Sequence, residues 1–264
     1  MPRKRVKSNN HRPSAQRPKS RTPKQAQKLL LFGRHAVDAA LKNPRRTIHT
    51  VYAEASQHAA LERHRPGVNL EVFNAAAHAG HLSPDAIHQD ICAHVAPLEG
   101  PSLDVQLASK RNGPLVVLDH VTDPRNIGAI FRTSAAFGAQ AIIMQDKHAP
   151  KESGTLARAA SGALDMLPWI KVTNLARALE SMAAAGYWSI GLAGDAPQTL
   201  EATVTKNQKI ALVLGAEGAG LRRNVSNHCD TLARLDIDPV MESLNVSNAA
   251  AVALYIARRA QNGL

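Results

Sequence analysis

The sequence predicts an α/β protein: a C-terminal unit built on a mostly parallel sheet, preceded by a small α/β unit. From residue 114 onward, short apolar runs alternate with segments of helical periodicity. This is the pattern of parallel strands joined by helical crossovers that cover both faces of a sheet. Upstream, shorter strand and helix patterns alternate over residues 29–97, and a Pro- and Gly-rich stretch at 98–113 reads as the linker between the two units.

Residues 1–28 open the chain as a basic arm. They carry ten of its 32 Lys and Arg residues and no acid. Residues 29–264 hold the remaining 22 basic side chains and all 21 acids, so the formal charge of +11 sits on the arm. The arm has too few apolar residues to offset the entropy of ordering and is expected to be disordered. Such a segment, with Lys4 and Arg5 among its cations, binds polyanions by releasing counterions from phosphates. It contains no Phe, Tyr or Trp, so base stacking is not its mode.

Order is expected from Leu29. GRHAVDAALKNP reads as a helix with Ala36, Val37, Ala40 and Leu41 on one face, stopped at Asn43-Pro44. TIHTVYA reads as a strand, SQHAALERH as a helix ended by Pro66-Gly67, NLEVF as a strand, NAAAHAG as a short helix and ICAHVAP as a half-buried strand. In the C-terminal unit, 114–264, the strands are PLVVLDHV, AIIMQ, LPWIKV, YWSIGLA, KIALVLG and TLARLDI. The helical segments are NIGAIFRTSAAFGA, SGTLARAASGAL, TNLARALESMAAAG, the short GLRRNVSNHC and the long SLNVSNAAAVALYIARR.

Composition excludes several classes. The longest apolar run, Ala249–Ala257, is far short of the roughly 20 residues that span a bilayer. The basic leader lacks an apolar core, so it is not expected to be a secretory signal. Its four prolines, three serines and lack of amphipathic pattern argue against organelle targeting. Cys92 and Cys229 cannot make a disulfide framework or a cysteine-rich zinc site and read as small core residues in a reducing cytoplasm. No membrane or metal partner is expected.

Ligands in open parallel sheets sit beyond the carboxyl ends of the strands, and three segments fall there. In LDHVTDPRNIGAIFRTSAAFGA (118–139), Ile127, Ile130, Phe131, Ser134 and Phe137 form one arc of a helix, and Arg132 faces the other way. In LGAEGAGLRR (214–223), Gly215, Gly218 and Gly220 permit tight turns and close backbone approach. Their spacing is neither a dinucleotide fingerprint nor a P-loop, and Glu217 among them would repel a pyrophosphate. In LDIDPVMESLNVSNAAAVALY (235–255), Ser243 is a good N-cap for the last helix, with Asn245 and Ser247 clustered beside it.

Together, DPRNIGAIFRTSAAFGA, LVLGAEGAGLRR and SLNVSNAAAVALY resemble the three ordered motifs of the SpoU (TrmH-like) branch of the SPOUT RNA methyltransferases. GRHAVDAAL and HQDICAHVAPLE resemble the small substrate-binding domain of the branch that methylates guanosine in 23S rRNA. The resemblance implies S-adenosylmethionine as methyl donor, a ribose 2′-hydroxyl of RNA as acceptor, a homodimer, and a trefoil knot in the C-terminal half. It implies catalytic roles for Arg132, Asn126, Glu217, Ser243 and Asn245. It implies cofactor contacts at Leu192, Gly194, Gly215, Leu235 and Leu244. One departure stands out: where the family has Ile-Pro-Met and a small Gly-containing stretch, this chain has Leu235-Asp236-Ile237 and Asp238-Pro239-Val240-Met241. The cofactor loop is therefore expected to differ in shape.

RNA is expected to meet the basic arm, the small unit and the Arg125/Arg132 edge. A guanidinium is effectively always protonated, so Arg132 suits gripping a phosphate and stabilising a developing oxyanion better than it suits a base. Competing readings are a tRNA ribose methyltransferase, disfavoured by the small unit at 29–97, and a non-catalytic ribosome-assembly factor, disfavoured by the intact polar set. A dehydrogenase is disfavoured by the missing glycine fingerprint.

Overall fold

The computed structural model describes residues 29–78, 88–206 and 208–263. The basic arm, with Lys4 and Arg5, lies outside the described residues.

The small unit runs β1 (Leu29–Phe32), α1 (Arg34–Lys42), β2 (Ile48–Ala53), a 3-10 turn (Ala55–Gln57) into α2 (His58–His64), β3 (Leu70–Val72), α3 (Ala75–His78) and β4 (Cys92–Val95). Its sheet has the order β1-β4-β2-β3, with β4 antiparallel to β1 and β2, and β3 parallel to β2. The predicted face of α1 is buried. Asn43 ends that helix, its N–H returning to the carbonyls of Ala39 and Ala40. Strand β1 was not anticipated: a four-residue apolar run carries no alternation to read.

The linker segment contains α4 (Leu103–Leu107), capped by Ser102. The C-terminal unit follows with β5 (Leu115–Leu118), α5 (Pro124–Ala136), β6 (Ala141–Gln145), α6 (Gly154–Ala159), α7 (Ala163–Met166), β7 (Trp169–Val172), α8 (Leu175–Ala184), β8 (Trp188–Leu192), α9 (Leu200–Thr203), β9 (Ile210–Leu214), α10 (Arg223–Ser226), β10 (Thr231–Ala233) and α11 (Val246–Asn262). The sheet order is β10-β8-β9-β5-β6-β7, and every pairing is parallel.

Both faces of this sheet are covered. Val116, Leu118, Ile142, Met144, Leu212 and Leu214 pack with Ile127 and Phe131 of α5 and Ala250 and Leu254 of α11. The alternate residues Leu115, Val117, Ile143, Ala211 and Val213 pack with Leu175, Leu179 and Met182 of α8 and Val225 of α10. The first of these cores continues into the small unit through Leu31, Val37, Val51 and Val95.

Two helix boundaries differ from the sequence expectation. SGTLARAASGAL forms two helices because the chain turns at Ser161 (φ 49) and Gly162 (φ 89). A Cβ on Gly162 would lie 2.8 Å from the Ala39 Cβ and 2.9 Å from the His35 carbonyl, so α1 needs glycine there. The last helix begins at Val246, and its N-cap is Asn245, whose side chain accepts from the Ser247 N–H at 2.9 Å. Ser243 is therefore not the cap; it lies two residues short of the cap position, in the exposed loop. Both cysteines are free. Cys92 is buried, Cys229 half-buried, and burial pushes both thiols up to about 12.

Candidate active site

The strand order makes β5 the pivot of the sheet. The chain runs outward from it through β6 to β7, and later strands return on the other side with β9 against β5. The crevice between the ends of β5 and β9 is thus the topological switch point, where parallel sheets place ligands.

Asp119 leaves the end of β5 with its side chain fully buried. Its carboxylate accepts from the backbone N–H of Arg222 at 2.9 Å and from the guanidinium Nε at 2.8 Å. The same guanidinium donates to Gln145 Oε1 at 2.9 Å. One ion pair therefore ties the ends of β5 and β6 to the segment after β9. The next residue, His120, is held in the left-handed region (φ 57), with its ring 4.1 Å from that of His148. Burial, and then Arg222, hold its imidazole below the ordinary range. Asp123 starts α5 by accepting from the Arg125 N–H at 2.8 Å, with Pro124 in the first turn.

Beyond β9 the glycine segment folds into a tight hairpin. Ala216 and Gly220 exchange backbone hydrogen bonds of 3.1 and 2.9 Å, and Gly218 (φ 76) and Gly220 (φ 64) take left-handed conformations. Gly215 sits against this hairpin: a Cβ there would lie 2.1 Å from the Gly220 carbonyl carbon. Glu217 rides the exposed tip. Asn245 joins this tip to α5, donating to Asn126 Oδ1 at 3.2 Å and to Glu217 Oε2 at 3.4 Å. Its own Oδ1 accepts from the Ser247 hydroxyl at 2.6 Å.

The structure thus brings together Asn126, Glu217 and Asn245, one from each motif. Leu192 and Leu235 pack half-buried against the main core. Gly194, just past β8, lies opposite the loop before α11: a Cβ there would be 4.0 Å from the Glu242 carbonyl. The end of β8 therefore lies beside the loop that leads through Leu244 into α11. Ser243 is exposed and has no hydrogen bond to the polar set. Arg132 is exposed on α5, as its periodicity predicted. It lies six residues past Asn126, about 9 Å along the helix axis. Arg125 and Arg132 are seven residues apart and share one outward stripe. The sequence reading missed the Asp119–Arg222–Gln145 tie. The only local signals for it were an acid directly after a buried strand and a tandem arginine after the glycines.

The glycine hairpin beyond β9 carries the carboxylate of Glu217 at its exposed tip, a charge that suits a cationic sulfonium better than a phosphate. Among the described residues no group of three or more His, Cys, Asp or Glu is placed to hold a metal ion.

A family model described as the SpoU rRNA methylase family matches residues 113–255. The chain belongs to that family. A second model, for RNA 2′-O ribose methyltransferase substrate binding, matches residues 30–101. Among curated SpoU relatives, the 23S rRNA (guanosine-2′-O-)-methyltransferase RlmB of Ralstonia nicotianae is 39% identical over 238 residues, covering 87% of this chain and 95% of that protein. The RlmB of Pseudomonas aeruginosa is 35% identical over 233 residues, covering 85% and 94%. An AdoMet-bound rRNA methyltransferase from Sinorhizobium meliloti superposes with a TM-score of 0.71 at 25% identity, covering 88% of this chain and 87% of that one. The SpoU methyltransferase AviRb from Streptomyces viridochromogenes shares the fold at a TM-score of 0.74 and 22% identity, covering 88% and 89%.

Proposed function

We propose that this protein transfers a methyl group from S-adenosylmethionine to the ribose 2′-hydroxyl of a guanosine in 23S rRNA. The observation that carries the proposal is the meeting of Asn126, Glu217 and Asn245 at the switch point of the sheet. The RlmB relatives supply the substrate class. When bound, the cofactor supplies a methyl group on a cationic sulfur.

The protein's own work is alignment and charge. Gly215, Gly194, Leu192, Leu235 and Leu244 form the cradle. Asn245 fixes the hairpin tip against α5, and Asn126 orients the acceptor ribose. Arg132 holds the adjoining phosphate and stabilises charge that develops on the 2′-oxygen. Arg125, one stripe along, adds a phosphate contact, and Lys4 and Arg5 in the basic arm add others. Ser243, although not a cap, remains in the proposed set as an exposed hydroxyl at the mouth.

The same reading includes a homodimer, a cytoplasmic site of action and the trefoil knot. The dimer is supported by Val252 and Tyr255, which are 42% and 50% exposed on the outer face of α11, and by Val240 and Met241 in the loop before it. The knot rests on the match to the SpoU family. The test is methyl incorporation from labelled S-adenosylmethionine into purified 23S rRNA, with nuclease digestion and mass spectrometry of the product. A 2′-O-methylguanosine is expected. Label appearing only in tRNA, or in no RNA, sinks the reading.

A further inference from the structure

The boundary between the two units contains a cavity of about 180 Å³, lined by Gly33, Arg34, His35, Gln89, Arg158 and Ser161 among others. Small-molecule sites run to roughly 300–1,000 Å³, so this one accommodates a phosphodiester and its water rather than a whole nucleoside. Among the described residues the lining contains two guanidiniums and no carboxylate. Asp38 stands 3.9 Å from Arg34 Nε in a partly solvated pair, too long and exposed to occupy that cation. Arg158 is half-buried and has no carboxylate partner among the described residues.

Backbone donors strengthen the site. Helix α1 starts at Gly33, which offers no side-chain cap, and Gln89 Oε1 accepts only the Arg34 N–H, at 3.1 Å. The N–H groups of His35 and Ala36 have no acceptor among the described residues. They add the partial positive charge of a helix start to the two side-chain cations. The walls are rigid, because Gly162 packs on the His35 carbonyl and the Ala39 side chain.

The cavity also adjoins the helix that enters the active site. Arg158 precedes Ala159, whose Cβ fills the space where Gly128 of α5 would carry its own, at 2.5 Å. The helix that carries the cavity's cation is thus pressed directly onto the helix that presents Asn126, Arg125 and Arg132.

We propose that this cavity holds one phosphodiester of the substrate RNA as the strand crosses between the units, gripped by Arg34 and Arg158. The proposal rests on the RNA methyltransferase reading and adds a site to it. It is tested with full-length Arg34→Gln, Arg158→Gln and the double variant, by RNA binding across a salt series, steady-state methylation of a 23S rRNA fragment and calorimetry with S-adenosylmethionine. Each single variant is expected to raise the KM for RNA about tenfold, with kcat and cofactor affinity within about twofold of wild type. In the double variant the log–log salt slope falls by roughly 0.7–0.9, the loss of one phosphate contact. Arg158→Lys, which keeps the charge, retains the slope. A double variant with wild-type KM and slope overturns the proposal, as does one that loses kcat at unchanged RNA affinity. Saturable binding of inorganic phosphate with RNA affinity unmoved assigns the cavity to a free anion and also overturns it. If wild-type protein methylates no RNA, the catalytic reading fails separately, and the salt slope still decides the cavity.

Discussion

Arg46 and Asp165, 119 residues apart in the chain, meet in a two-pronged ion pair: Nε to Oδ1 at 2.9 Å and Nη2 to Oδ2 at 2.9 Å. Glu152 Oε1 takes Nη1 of the same guanidinium at 2.7 Å, and all three side chains are at most 5% exposed. Arg46 belongs to the small unit and both acids to the C-terminal unit, so one buried cation bridges them. Burial pulls the guanidinium down, but Asp165 and Glu152 outweigh it and leave its pKa raised.

Removing that cation strands two buried carboxylates. Arg46→Ala is expected to cost about 3–5 kcal/mol of unfolding free energy, the range for breaking one side of a buried pair. Urea denaturation measures it, and a loss below about 1 kcal/mol would show that water or rearrangement replaces the guanidinium.

Glu152 gives the pH dependence. Burial raises its pKa from the ordinary 4.5 by more than Arg46, the Leu98 N–H and the rest of the network lower it. The folded state therefore holds this proton more tightly than the unfolded chain does. Its stabilising contribution is complete below pH 4.5 and is lost as the pH rises through the folded pKa. The stability of Glu152→Gln minus that of wild type should grow from acid to neutral pH. A difference that stays flat or shrinks removes Glu152 as the titrating group.

These pairings mark where sequence reading stops. The continuous apolar run Leu115–Leu118 and the arc of Ile127, Ile130 and Phe131 announce a buried strand and its covering helix through local periodicity. Arg132 faces outward for the same reason. Arg46–Asp165 and Asp119–Arg222 join residues more than a hundred positions apart; the first carries no local signal, and the second only an acid after a strand and a tandem arginine, neither of which names its partner. The helix cap was misassigned because Ser243 and Asn245 both have capping side chains. The structure settles the choice through the Asn245 oxygen, which reaches both the N–H and the hydroxyl of Ser247.

Arg132→Ala should lower kcat about 10²–10³-fold, the usual consequence of losing one donor to a developing oxyanion. Because Arg132 is exposed and makes no ion pair among the described residues, thermal stability and cofactor affinity should hold. Methylation within about tenfold of wild type would exclude Arg132 from the reaction.

Asn245 serves two ends at once. Asn245→Ala should cost about 1 kcal/mol through the lost cap and also release Glu217 from α5. Asn245→Asp keeps a capping oxygen but puts a carboxylate where the amide donates to Glu217 Oε2 at 3.4 Å. Stability should therefore recover in the Asp variant while methyl transfer does not. Recovery of both would leave Asn245 with a purely structural role.

Gly215 tests the hairpin itself. A Cβ there meets the Gly220 carbonyl carbon at 2.1 Å, its oxygen at 2.3 Å and the Leu221 nitrogen at 2.3 Å. All three are backbone atoms, so no rotamer change relieves the clash. The hairpin has to widen, which breaks the Ala216–Gly220 hydrogen bonds and moves the Glu217 tip away from Asn245. Gly218 is the matched control. A Cβ there meets nothing within 4 Å, and the cost is only the strain of a side chain at φ +76, roughly 1–2 kcal/mol. By calorimetry, Gly215→Ala should bind S-adenosylmethionine at least about tenfold more weakly (a loss of about 1.4 kcal/mol), and Gly218→Ala should stay near wild type. Equal affinity in the two variants would mean that the cofactor does not lean on this backbone, and the cradle would have to be placed elsewhere along the strand ends.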